Sequence, residues 1–183
     1  MEIFDHKPQI ILISGKARHG KTTSALIMKE IYESLNKKVI ITRYSTYIKH
    51  YAKEFFGWDG REETKPRELL QKLGTDVIRK MLGKDDFFVK RMVEDIEIMK
   101  YFFDVIIIDD VRFPIEIELL KTVYPEVKTI RINRLNFVSD LTQEQQKHIT
   151  ETSLDEYKDF NQYLLNDSNL EGLKEKLNKL IRG

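Results

Sequence analysis

Gly15-Lys16-Ala17-Arg18-His19-Gly20-Lys21-Thr22 fits the spacing G-x-x-x-x-G-K-[ST] in full. Glycines at both ends let a backbone curl until successive N–H groups point at one anion. A helix beginning at Lys21 adds its positive end to the same place. The chemistry this predicts is the cradling of a nucleoside triphosphate by residues 15–23. Lys21 reaches the β- and γ-phosphates, and the Thr22 hydroxyl ligates Mg²⁺ beside Thr23. Arg18 is placed to face a phosphoryl group in transfer, whereas His19 reads as a filler of the loop. As a helix-starting lysine at the surface, Lys21 is expected to add little to stability.

A second group of hard ligands lies far along the chain. "VIIIDD" is an apolar run that delivers Asp109 and Asp110, the kind of strand end that orients a phosphate-bound Mg²⁺ through water. Either aspartate satisfies that spacing. Arginines are the third element, since a planar guanidinium fork matches phosphate oxygens. Arg43 leaves the second strand, Arg67 and Arg79 share a helix, and Arg112 follows the aspartates. Arg67 and Arg79 are twelve positions apart, about 120° around an α-helix, so they are not expected to face one pocket. Arg67 is the expected phosphate ligand and Arg79 a surface or lid contact.

The elements that must position these groups are legible as alternating strands and helices. "QIILIS", "KVIITRY", "DVIIIDD", "VKTIRIN" and "QYLLN" read as buried strands. Between them lie helical patterns. From Lys21 the apolar positions are Leu26, Ile27, Ile31 and Leu35, ended by Asn36-Lys37-Lys38. "TYIKHYAKEFFG" buries Ile48, Tyr51, Ala52 and Phe55 and stops at Gly57. A third helix after Pro66 presents Leu69, Leu70, Leu73, Val77 and Met81, and further helices cover Phe87–Lys100 and start at Pro114. The last helix reads as opening on a Ser168/Glu171 capping box. The alternation predicts an α/β fold, a mostly parallel five-stranded sheet with helices on both faces.

Composition narrows the partners. Among 183 residues, 31 basic side chains meet 30 acidic ones for a formal net charge of +1, with no basic block for nucleic acid. With 41% apolar residues the chain can bury a sizeable core, and the run "IILI" is too short to span a membrane. Cysteine is absent, which fits a reducing, cytoplasmic setting and removes thiol chemistry and disulfides.

"GKARHGKT", "RELLQKLGTDVIR", "DDVRFPIE" and "HITETSLDEY" occur in that order and together resemble the phage-type deoxynucleoside monophosphate kinases. Animal phosphomevalonate kinase is similar as well. The resemblance runs from about Ile10 to Leu180. It implies a three-layer P-loop kinase fold forming a single domain over residues 1–183, with an acceptor-binding helical region at about 44–100 and a mobile lid at about 134–150. It implies ATP and Mg²⁺ as cofactors, a small nucleotide as acceptor, and a monomer or homodimer. Arg112 is implied at the acceptor or transferring phosphate, Lys49 and Glu151 on the acceptor side with Arg43 and Arg67, and Arg131 and Arg134 at the base of the lid. His148 belongs to the same matched motif. Two positions depart from the pattern. Relatives often carry aspartate where this chain has Thr22, and Thr46-Tyr47 replaces the Asp-Pro often found ahead of the lysine.

Two other readings fit the residues. One is a kinase for a different phosphorylated acceptor, such as phosphomevalonate or dephospho-coenzyme A. The other is a P-loop ATPase acting as a switch. Tyr44, Tyr47, Phe55, Trp58 and Phe113 are the aromatics available to stack on a base and so favour a nucleotide.

Overall fold

The computed structural model describes residues 3, 7–135, 138 and 141–183. Five strands, β1 (Gln9–Ser14), β2 (Val39–Thr42), β3 (Val105–Val111), β4 (Lys128–Asn133) and β5 (Gln162–Leu165), form one all-parallel sheet in the order β2-β3-β1-β4-β5. The chain leaves β1 for the edge at β2, returns through β3, and then crosses to β4. That reversal opens a crevice at the carboxyl ends of the central strands, where open α/β sheets place ligands. Parallel pairing sets Ser14 opposite Val111, so the phosphate loop and the aspartates emerge side by side.

Side chains alternate across each strand, so the apolar runs fill two cores. Ile10, Leu12, Ile106 and Ile108 face α4 (Phe87–Met99) and α5 (Pro114–Val123), meeting Phe88, Met92, Ile96, Ile117 and Leu120. Ile11, Ile13, Ile107, Ile130 and Ile132 face α1 (Lys21–Ser34) and α8 (Leu170–Arg182), meeting Ala25, Met28, Ile31, Leu173 and Leu177. Among the described residues no helix is long and apolar enough to cross a membrane.

Several helix faces differ from expectation. On α1 the chain buries Ala25, Ile27, Met28, Ile31 and Tyr32, while Leu26 and Leu35 stay exposed. Helix α1 ends at Ser34, and Asn36 takes the left-handed turn (φ 60°). α2 (Thr46–Phe56) stops at left-handed Gly57 as expected, but Phe55 is 73% exposed. α8 is capped by Asn169, whose side chain accepts the Gly172 N–H, so the start lies one residue beyond the Ser168 reading.

The largest difference lies in the third helix. Only Arg67–Gln71 is α-helical (α3); Lys72–Met81 continues as a π-helix. Its i→i+5 hydrogen bonds give a wider turn than the α-helix, so the apolar spacing read at α-helical period loses phase. Val77 and Met81 are exposed, whereas Gly74, Thr75, Ile78 and Arg79 are buried. Between β4 and β5, two short helices, α6 (Gln143–Lys147) and α7 (Ile149–Thr152), occupy part of the expected lid and its return. The remainder of the proposed lid includes 136, 137, 139 and 140, which lie outside the described residues.

Candidate active site

The phosphate loop is built as the glycine spacing requires. A Cβ on Gly15 would stand 2.7 Å from the Ile132 carbonyl oxygen, and Gly20 has φ 96° with Asn166 packed where a side chain would go. The loop therefore closes tightly over β4 and β5. Lys21 is only 8% exposed; its Nζ donates to the carbonyls of Gly15 and Lys16, both at 2.8 Å. Burial, and after it the nearby Arg112 charge, push its pKa down to about 7. This corrects the expectation of a surface lysine with little structural weight. Thr22 and Thr23 are exposed to the cavity above the loop. His19 accepts the Arg134 N–H at its Nδ1 (3.3 Å), and its pKa is lowered, first by burial.

A carboxylate sits in the cradle. Glu151, at the end of the α6–α7 segment, accepts the Ala17 N–H at 2.8 Å and pairs with Arg112 Nη1 at 2.8 Å. Arg112 Nη1 also lies 3.4 Å from the carbonyls of Gly15 and Thr150. Asp155 takes Lys16 Nζ at 2.8 Å and Arg131 Nη2 at 3.3 Å. One segment thus supplies anions to a loop N–H and to three cations. Asp155 lies within the string "HITETSLDEY", but only the folded chain reveals which cations it meets.

Arg131 and Arg134 part company. Arg134 lines the cavity, as does Arg18, and its Nη1 lies 3.5 Å from the Arg18 carbonyl. Arg131 is buried under the loop instead, donating to Ser14 Oγ at 2.8 Å with its guanidinium 5.9 Å from the Phe160 ring. It is held inside the sheet, away from the cavity wall, because its position in β4 faces Ser14 of β1 across the parallel register. His148 caps α7, accepting the Thr150 N–H at 3.3 Å.

Across the cavity, Asp109 is fully buried and accepts Arg43 Nε and Nη2 at 2.6 and 2.8 Å. This fork raises the Arg43 pKa. Asp110 uses its two oxygens to accept the N–H groups of Tyr44 and Ser45 at 2.8 and 2.9 Å, anchoring the turn into α2. Each carboxylate oxygen keeps a second lone pair for a metal-bound water. With the Thr22 hydroxyl lining the same cavity, the hard oxygen donors suit Mg²⁺ bound chiefly through phosphates and water.

Lys49, Lys65 and Arg67 line the same side. Burial, then the Lys65 charge, lowers the Lys49 pKa. Glu62 holds Lys65 at 2.9 Å and lies 3.6 Å from Arg67. No sequence signal singled out Glu62 or Lys65, since both sit in a polar loop.

Arg79 overturns the helical-wheel argument. It is 8% exposed and lines the cavity that Arg67 also lines, because the π-helix turns it inward. It donates to the Asp85 carbonyl at 2.5 Å and to Glu116 Oε1 at 2.7 Å. Glu116 Oε2 accepts the N–H groups of Arg112 and Phe113 at 2.7 and 3.1 Å. Burial raises the Glu116 carboxyl to about 7 against the opposing pull of Arg79. Glu116 therefore meets the Arg112 backbone, and the Arg112 side chain pairs with Glu151.

The cavity between these walls measures about 1160 Å³, more than the roughly 300–1,000 Å³ of a pocket for one small ligand. Its lining brings Lys21 and Thr22 of the phosphate loop together with Arg112, Arg43, Lys49 and Arg67.

Solved structures share this architecture. The APS kinase of Mycobacterium tuberculosis superposes with a TM-score of 0.57 at 7% identity, over 97% of this chain and 99% of that one; it has also been solved with AMPPNP and APS. Shikimate kinase from Aquifex aeolicus gives a TM-score of 0.55 at 15% identity, over 96% of this chain and 97% of that one. That from Bacteroides thetaiotaomicron gives 0.52 at 17%, over 96% and 99%. At such identities the likeness is one of fold. No curated protein matches the chain significantly. The family described as deoxynucleotide monophosphate kinase matches residues 37–177, from β2 into α8, with the phosphate loop lying ahead of the matched stretch. A match over well more than half the chain, on the fold of P-loop kinases, places this protein in the deoxynucleotide monophosphate kinase family of phosphotransferases.

Proposed function

We propose that the chain transfers the γ-phosphoryl group of ATP to the 5′-phosphate of a deoxynucleoside monophosphate, with Mg²⁺. The observation that carries this reading is one large cavity lined both by the phosphate loop and by a second set of cations, Arg43, Lys49, Arg67 and Arg112. A simple ATPase needs a water site at the γ-phosphate; this cavity offers room and charge for a second phosphorylated molecule.

In this reading the loop N–H groups of residues 15–22 and Lys21 hold the ATP phosphates. The phosphates take over the Ala17 N–H from Glu151, and Arg112 exchanges its carboxylate partner for phosphate oxygens. Arg43, Lys49 and Arg67 hold the acceptor phosphate in line. One acceptor oxygen attacks the γ-phosphorus, the bond to the β–γ bridging oxygen breaks, and ADP and a nucleoside diphosphate result. Thr22 and the waters held by Asp109 and Asp110 would surround Mg²⁺, whose charge would offset that of the phosphates. Arg18 and Arg134 offset charge on the transferring group, and residues 134–150 act as a lid that excludes water. No covalent enzyme intermediate is needed, because positioning two phosphates and neutralising the charge between them is the main requirement.

The test is thermal stabilisation without ATP. A monophosphate at about a hundred times its Kd adds roughly 2.7 kcal/mol, a melting shift on the order of 5–10 °C. The matching nucleoside shifts it far less. Arg112→Lys weakens the monophosphate effect and leaves most of the ATP effect, since lysine keeps the charge but loses the fork. No shift with any monophosphate, alongside steady ATP hydrolysis without an acceptor, would establish the ATPase reading instead.

A further inference from the structure

Five aromatics were available to stack on an acceptor, and the fold disposes of four. Tyr44 is buried with its hydroxyl on the Glu116 carbonyl at 2.8 Å. The Tyr47 hydroxyl is bound to Asp95. Phe55 stacks on Tyr51 at the surface, and Trp58 lines a separate small groove with Lys53 5.7 Å from its ring. Phe113 is different. It is half-buried, lines the large cavity and is not among the side chains packed into either core.

One side of its ring is already furnished. The Arg79 guanidinium carbon lies 4.1 Å from the Phe113 ring centre and 5.0 Å from that of Phe88, a core residue. Arg79 is fixed in turn by the Asp85 carbonyl and Glu116, and Glu116 also accepts the Phe113 N–H. The result is a column, Phe88–Arg79–Phe113, anchored in the core at one end and ending at the cavity. Rigid aromatic faces of this kind bind bases by stacking with little regard to sequence, and a cation behind the ring strengthens the arrangement.

Backbone geometry relates this ring to the phosphate site. Phe113 is extended (φ −127°, ψ 146°), so Arg112 and Phe113 direct their side chains oppositely. Arg112 turns to Gly15 and Glu151 at the phosphate loop; Phe113 turns to Arg79 on the π-helix. Two consecutive residues thus face the two ends of an acceptor that carries a phosphate at one end and a flat ring at the other.

We propose that Phe113 is the stacking platform for the acceptor's nucleobase, held in place by Arg79 and Glu116. The inference rests on the monophosphate kinase reading and deepens it: the acceptor is selected for an aromatic ring, which a phosphorylated isoprenoid alcohol lacks.

The probes are the four common deoxynucleoside 5′-monophosphates and 2-deoxyribose 5-phosphate, which keeps the phosphate and sugar but has no base. Their Kd values are measured by calorimetry on the full chain. In the native protein the preferred monophosphate binds more tightly than the sugar phosphate. Phe113→Leu weakens that monophosphate by about tenfold and leaves the sugar phosphate unchanged, and Phe113→Tyr restores the preference. If the native preference is present and survives Phe113→Leu, or if both ligands weaken equally, the platform assignment is overturned while the monophosphate reading stands. If the native protein binds no monophosphate more tightly than the sugar phosphate, both fall. Should Phe113→Leu fail to fold, Phe113→Trp decides the question. Its added fluorescence is quenched by the monophosphate and not by the sugar phosphate, and absence of that difference overturns the proposal.

Discussion

The phosphate loop and the wall opposite it hold their cations in different ways. Lys21 is held by the carbonyls of Gly15 and Lys16, oxygens only a few residues away. Arg43 and Arg79 are held by Asp109 and Glu116, carboxylates that lie 66 and 37 positions distant. At Lys21 the partners are backbone dipoles, so charge complementarity is left for an incoming phosphate, although Lys16 in the same loop already pairs with Asp155. On the wall the partners are full charges, so the guanidinium groups are fixed before any ligand arrives. The Arg79–Glu116 pair is buried at both ends, and such pairs add little net stability because desolvation offsets their attraction. Its contribution lies in fixing Arg112 and Phe113 relative to the π-helix.

The sharpest way to break the comparison is at Lys21. Lys21→Ala is expected to lower kcat by roughly 10²–10³-fold, the loss associated with one preorganised donor at a charged transition state. Its apo melting temperature falls too, since two loop carbonyls lose a donor that contributes about 1 kcal/mol to each. Steady-state turnover and calorimetric melting separate the two effects, and near-native turnover would remove the loop from the mechanism.

Next comes the wall. Arg79→Ala leaves Glu116 buried without its cation, a change that costs on the order of 3–5 kcal/mol, read by urea unfolding. The loss should grow with pH. Glu116 already has its pKa raised to about 7 from 4.5, and removing Arg79 raises it further. Below about 7 the native protein and the variant both keep a Glu116 proton that the unfolded chain releases; above about 7 the native protein gives it up against Arg79 while the variant keeps it, so the variant's extra loss grows as pH rises above about 7. A loss independent of pH between 5 and 8 would show that Glu116 does not govern it.

The smallest effect sharpens the contrast without a mutation. The unliganded Lys21 pKa of about 7 lies below the ordinary lysine value of 10.5, and bound phosphates are expected to restore the charged form. Nucleotide binding at pH 8 should therefore take up a fraction of a proton, rising toward one per site at higher pH until the bound lysine itself titrates. Affinity falls as pH rises above about 7 for the same reason. Calorimetry in buffers of different ionisation enthalpy reads the uptake, and Lys21→Met should abolish it.

Residues 15–22, the strand runs and the Asp109-Asp110 strand end were legible from sequence because their geometry is set within a few residues. A glycine that must approach Ile132, or an apolar run buried on both faces, leaves a local signature. The family resemblance read from four motifs was legible for a related reason, since it rests on strings of adjacent residues and needs no distances. Arg79 was not legible. Its placement depends on whether Lys72–Met81 closes i→i+4 or i→i+5 hydrogen bonds, and the α-helical period assumed for that stretch turned it outward. Nor were Glu151 on the Ala17 N–H, Asp155 on Lys16, or Arg131 turned to Ser14, with separations of 134, 139 and 117 residues. Sequence determined which charges the chain carries and which of them sit at strand ends. Tertiary structure alone decided which charges meet, because each of these contacts forms only after the parallel strands have brought distant loops to one edge of the sheet.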